Sequence, residues 1–406
     1  MKAIEQFTAD FENIMKLSDD NLSNLRKDSF DEFTKSGLPT RREEYWKYSD
    51  PSIISKFEFE LGTASKHDED EYDIILVNGN IVKASNGCKM GSIPDGINAG
   101  DITERLLEKK EKTFLNLNNA FTTNGLYVIL NENSKQTIKI LNLVNNEKAT
   151  QAVHPRIVVI ANRNSDSHIF EEIRIVGNGT NFINSVTEFF IKDGASVEHI
   201  IVDDYANDTY HVSNVCAKQS KDSNFTSHNF SMGKKFARRD FNIELNESGA
   251  NCNLFGLYLV DEENHIDHHT TIEHKDAHCN SNENYKGILG GKSTGVFNGR
   301  IHVHPDAQKT DAIQNNRNLL LSDDAIIHTK PELEIYADDV KCTHGATVGQ
   351  LDESALFYLR SRGLNINESQ RMLMRAYVGE VIDEISNEQI KDELMEMILD
   401  RLPNGD

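Results

Sequence analysis

The sequence predicts a mainly β fold, a long strand-rich core with helical segments at both ends. Two observations carry this. From about Phe121 to Gly349 the apolar period is two, in short runs separated by Gly, Asn, Asp and Ser turns with no strong helix between them. On either side of that stretch the period changes to three or four.

The strand-like runs are Leu126–Leu130, Thr137–Val144, Ile157–Ile160, Ile169–Val176, Val186–Ile191, Val197–Val202, Phe241–Leu245, Leu254–Val260, Ile326–Thr329 and Leu333–Tyr336. Similar turn-to-strand entries recur at Asp193-Gly194-Ala195, Ser248-Gly249-Ala250, Pro305-Asp306-Ala307 and Asp323-Asp324-Ala325. A large sandwich or a parallel β-helix would both accommodate this pattern. The irregular spacing fits a β-helix with variable turns better than propeller blades. Repeats of about 20–25 residues would give roughly ten coils, stacked about 4.8 Å apart.

At the amino end, Ile4, Phe7, Phe11 and Ile14 mark one helix, and a second run spans about Asn21–Lys35 until Gly37-Leu38-Pro39 stops it. The segment PTRREEYWKYSD follows, holding the single Trp and two Tyr among charges. It reads as an amphipathic segment with its aromatics packed inward, or as a docking element. A short strand is expected over Tyr72–Val77. After Leu351 three helices are expected: Asp352–Arg362, closed by Gly363; one capped by Asn367 and carrying Met372, Leu373, Ala376, Tyr377, Val381 and Ile385; and one capped by Ser386. These signals divide the chain into a mostly helical region 1–120, a β core 121–349 and a helical domain 350–406.

Composition narrows the function. The 406 residues exceed a usual single core, and 38% hydrophobic content suits a solenoid whose coils bury only an inner face. A formal charge of −22 repels phosphate backbones and anionic lipids, which argues against nucleic-acid and membrane partners. No apolar run is long enough to span a bilayer, and the amino end lacks a signal-peptide core, so a cytoplasmic location is expected. Five scattered cysteines without a Cys-x-x-Cys motif fit a reducing compartment.

Three motifs invite chemical readings. Gly290-Gly291-Lys292-Ser293 looks like the end of a phosphate-binding loop, but the required first glycine position is Lys286 and no helix start follows, so it reads as a turn. The run His265, His268, His269, His274, His278, Cys279 suggests zinc, and a zinc-dependent hydrolase is the rival reading. On a strand, however, His265, Asp267 and His269 face one way while His268 faces the other. His302 and His304 share a face but supply only two neutral ligands. In Lys341-Cys342-Thr343-His344 the thiol and imidazole lie on one strand face, about 6.5 Å apart. Such a pair suits iron, yet a cluster normally wants four ligands, so further ligands would have to come from another chain. On spacing alone, a structural cysteine is the stronger reading. A carbohydrate-binding β-helix is weakly supported, with one Trp and no signal.

The stretch KTDAIQNNRNLLLSDDAIIHTKPELEIYADDVKCTHGATVGQLDESALFYLRSRGL (309–364), together with YKGILGGKSTGVFNGRIHVHPDAQKTDA (285–312) and LPTRREEYWKYSD, resembles the SufB/SufD family of the SUF iron–sulfur cluster assembly system. The likeness runs with gaps over most of the chain and is weakest in 50–120. It favours the SufD branch, because SufB is longer and carries a Glu-His-Glu-Ala-type segment where this chain has Asp339–Ala346. The resemblance implies a right-handed parallel β-helix between helical ends, and a non-catalytic scaffold. It implies a complex with one SufB and two copies of the ATPase SufC, docked by helices within 352–385, and it allows homodimers of the isolated chain. It places Cys342 and His344 at the SufB–SufD interface, as ligands of a nascent iron–sulfur cluster that is transient, shared with SufB and not held tightly by the isolated chain.

Overall fold

The chain's computed structural model describes residues 2–17, 20–85, 87–103, 112–146, 150–204, 208–233 and 235–402. The side chains of residues 2–4, 17 and 204 lie outside that description, among them the expected core residue Ile4. Seven α-helices occur among the described residues: α1 (Lys2–Leu17), α2 (Ser23–Ser36), α3 (Ile93–Asn98), α4 (Thr113–Phe121), α5 (Glu353–Ser361), α6 (Ile366–Ile382) and α7 (Glu388–Arg401). Between α4 and α5 the chain is a parallel β-solenoid of about seven turns.

Each turn contributes one strand to each of two sheets. Sheet one runs from 126–130 through 156–161, 180–191, 209–219, 235–245, 265–274 and 294–303 to 326–335. Sheet two runs from 135–146 through 166–177, 196–204, 224–231, 251–260, 280–289 and 311–320 to 341–349. All these pairings are parallel and in continuous register. Phe225, Cys252, Ser281, Ala312 and Cys342 occupy one position in successive coils, so a coil takes 27 to 31 residues. That length corrects the expected ten coils. The polar strand ends, such as Asn224, Asn251 and Asn280, continue the ladder where the sequence reads as turn.

Alternation fills the lumen with aliphatic and aromatic residues at one side, including Ile243, Ile272, Phe297 and Ile301. Tyr285 lies over Gly256 and Tyr258 over Gly287 in the same file of strands, where a Cβ would collide with the ring. The expected strand near residue 72 forms at Ile74–Val77 and joins sheet two. The amino-terminal region is less purely helical than expected, because 80–84 and 89–91 also close the near end of the sheets in antiparallel fashion. The PTRREEYWKYSD segment lies on the outer face of sheet one, with Arg238 stacked 3.8 Å from the Trp46 ring and Tyr48 stacked on His328.

At the carboxyl end α6 and α7 bury Met374, Val378, Val381, Ile382, Ile390, Leu394 and Ile398 against the outer face of sheet two. Asn365, not Asn367, caps α6 in a reciprocal box with Glu368, and Asn387, not Ser386, caps α7. Ser386 instead bonds to a carboxylate of the solenoid. Helix α5 has no buried residue.

Candidate functional site

The two ends of the solenoid differ. At the far end 326–335 and 341–349 are edge strands, hydrogen-bonded to a neighbouring coil on one side only. Their inward positions continue the interior columns. Cys342 follows Ala312, Ser281 and Cys252; His344 follows Gln314, Glu283 and Leu254. Ala312 and Gln314 are fully buried, whereas Cys342 is half-buried and His344 exposed. Core-type positions are thus laid open at a mouth. Its rim mixes exposed apolar residues, among them Ile335 and Val348, with exposed polar ones such as Asp339, Lys341 and Thr343.

Strand alternation therefore puts Cys342 and His344 on the same inward face, as the spacing predicts, with Lys341 and Thr343 pointing outward. Of the five cysteines, Cys342 alone is not buried. Its thiol is pushed up by burial and by the Asp311 carboxylate, so it is not activated by its own chain. It packs against the small cluster of Ile301, Val303, Ala307, Ala312 and Ala337. Among the described residues, no group of three or more His, Cys, Asp or Glu side chains is placed to hold a metal ion.

The histidine run divides as its alternation predicts. His265 and His269 face outward with Asp267, bonding Ser49 and Asp267 respectively. His268 points into the lumen, where Asn229 donates to its Nδ1 at 2.9 Å and burial pushes its pKa down to about 3. His274 is also interior and bonds Ser281. The run is therefore split between an outward group and separate interior partners. Gly290–Ser293 is a turn between strands 280–289 and 294–303, with Gly291 at φ 54° and Ser293 Oγ bonded to the Gly290 carbonyl.

Behind the mouth the lumen is more polar than the strand pattern suggests. Gln314 donates to Glu283 at 2.6 Å, and burial pushes the Glu283 carboxyl up to about 7. Deeper in, Arg239 donates to Ser213 at 2.9 Å and also contacts Asn229 and Asp203. Glu283 and Arg239 escape sequence reasoning because their partners lie on other coils. The only signal is a polar residue at an inward position. For Glu283 the sign is clear: its folded pKa exceeds the unfolded value, so the folded chain binds more protons between about pH 4.5 and 7. Stability should fall as pH rises through that window, by about 3 kcal/mol from this group. Denaturant titrations of wild type and Glu283→Gln across it should diverge with that slope, the variant being the more stable at pH 8.

Residues 114–377 match the family model described as the SufBD core domain of SUF-system FeS cluster assembly, and residues 1–75 match the SufBD protein N-terminal region. The chain belongs to the SufBD family. As the sequence resemblance implies, it is an iron–sulfur cluster assembly protein. It is 28% identical over 386 residues to the iron-sulfur cluster assembly protein SufD of Escherichia coli, covering 91% of each chain. A SufBD family protein of Synechocystis is 28% identical over 414 residues, covering 94% of this chain and 91% of the relative. A chloroplastic protein of Arabidopsis thaliana is 25% identical over 404 residues, covering 92% of this chain and 84% of the relative. The SufBD core match takes in every strand of the two sheets from 126–130 onward, the mouth and most of α6. No helix among the described residues is long and apolar enough to cross a membrane.

Proposed function

We propose that this SufBD chain is a non-catalytic scaffold that pairs with a SufB-like paralogue at the mouth of its β-helix and carries a SufC-like ATPase on α5 and α6. Cys342 and His344 supply part of the ligand set of a nascent iron–sulfur cluster, and the paralogue supplies the rest. The observation that carries this reading is the mouth: two edge strands, each paired on one side only, bring a thiol and an imidazole to core-type positions that no later coil among the described residues covers. A second β-helix end would extend both sheets, cover exposed apolar residues such as Ile335 and Val348 and add ligands, by the strand-addition chemistry that exposed edges favour. The raised Cys342 thiol fits this division, because ligand formation needs a thiolate and the cation that favours it would arrive with the metal. Five scattered cysteines without a Cys-x-x-Cys motif fit a cytoplasmic setting.

The ATPase surface rests on α5 and the start of α6, where Phe357, Tyr358, Ile366 and Met372 are exposed, Phe357 at 75%. Apolar side chains gathered on a helical pair outside the core mark a protein-docking face. The test is co-expression with the paralogue and the ATPase. Phe357→Asp with Met372→Asp should abolish co-purification of the ATPase, at least about a hundredfold loss of affinity, while the paralogue stays bound. Undiminished capture of the ATPase by that variant would place its docking elsewhere.

A further inference from the structure

Helix α6 runs along the solenoid rather than beside one coil. Ser386, just past its end, gives its backbone N–H to Glu198 Oε1 on strand 196–204 at 3.0 Å. Toward the mouth, Glu380 reaches Lys286 on strand 280–289, and the Tyr377 hydroxyl donates to the Arg317 carbonyl on strand 311–320 at 2.7 Å. The earlier residues Ile366 and Met372 lie further toward the mouth and are exposed.

Lys286 is the unusual member. Its side chain is wholly buried, yet it sits on the outer face of the sheet, in register between Leu257 and Arg317. Its ammonium donates to the Tyr377 carbonyl at 2.8 Å, lies 2.6 Å from the Glu380 carboxylate and 4.3 Å from the centre of the Tyr377 ring. Glu380 also bonds Arg317 at 3.2 Å. Every polar partner of the ammonium comes from α6, while the surrounding residues Leu257, Ile288 and Val378 are apolar. A buried ammonium without partners is strongly disfavoured, so these contacts hold α6 to the sheet at this point. Strand 311–320, held by the same helix, is hydrogen-bonded to the last strand in the register Ala312 to Cys342 and Gln314 to His344.

We propose that Lys286, seated on Glu380 and Tyr377, is a positioning residue that couples movement of α6 to the strand bearing Cys342 and His344. This deepens the scaffold reading and rests on it. A pull on the exposed end of α6 works first against the Lys286 seat, because the other end is held by Glu198 and by the apolar face of α7. While seated, α6 fixes the second and third coils from the mouth as one body. When released, those coils and the edge strand hydrogen-bonded to them are free to shift. Two discrete states of this kind are what carry a signal between distant sites.

The test uses the complex purified with the paralogue and the ATPase, in wild type, Lys286→Met and Glu380→Gln. Cys342 alkylation by iodoacetamide is followed on its peptide by mass spectrometry, with and without ATP. Wild type should change its rate about tenfold on ATP addition, within the range usual for coupled sites. Both variants should retain the ATPase and its hydrolysis but respond less than about twofold. Lys286→Met fills the slot with an apolar chain of similar length; if it does not fold, Glu380→Gln, which keeps shape, carries the test. Variants that respond like wild type would overturn the role of Lys286 alone. A wild-type complex with no ATP response, or no ATPase bound, would overturn the scaffold reading together with it.

Discussion

Alanine at Cys342 and His344 together should abolish cluster assembly in cells that depend on this system, without loss of folded protein. Both residues sit on an edge strand that no later coil covers. Cys342 touches only a small aliphatic cluster, and no hydrogen bond or ion pair within the described residues engages His344. Their removal should therefore change stability by less than about 1 kcal/mol, as for exposed positions generally. The loss should appear instead as inactive iron–sulfur enzymes in the host, scored by growth on a substrate that needs one. Each single variant should be impaired, because a shared ligand set that is already incomplete on this chain has no spare member. Normal growth of the double variant would remove the ligand role.

The largest effect on stability is expected at Arg239, far from the mouth. Its guanidinium is 2% exposed and bridges Asp203, Asn229 and Ser213 across the lumen. Burial opposes ionisation of Asp203, but Arg239 and His211 prevail and hold its carboxyl well below the usual range. Arg239→Met would leave that carboxylate buried without its counter-charge, a loss of about 3–5 kcal/mol. The denaturation midpoint should fall accordingly. Adding Asp203→Leu should recover part of the loss, because replacing both partners with apolar groups removes the uncompensated charge. A double variant as unstable as the sum of the singles would mean that Asp203 and Arg239 are not coupled.

Much of this architecture was legible in the sequence, through period and alternation. Period two across 121–349 pointed to the strand-rich core, and alternation separated His265 and His269 from His268, as their separate hydrogen-bond partners bear out. The same reasoning put Cys342 and His344 on one face. The coil is longer than the turn signals suggest because strand ends at Asn251 and Asn280 carry turn-type residues that nevertheless pair in register. The α7 cap lies one position later because Ser386 is claimed by Glu198, and the α6 cap two positions earlier because Asn365 forms a reciprocal box with Glu368. The interior polar network could not be read at all. Arg239 and Asp203 are 36 residues apart, and Lys286 and the Tyr377 carbonyl 91, so only the stacking of coils and the return of α6 bring them together. A lysine in NENYKGIL reads as a solvated strand position until a helix is laid over it.

The most direct measurement is ⁵⁷Fe Mössbauer spectroscopy of the complex, co-purified anaerobically with its paralogue and ATPase, comparing wild type with Cys342→Ser and His344→Ala. If the mouth of this β-helix is half of a shared site, wild type should carry a cluster signal that is lost or altered in both variants while the three chains still purify together. A cluster signal identical in all three preparations would place the site on other residues.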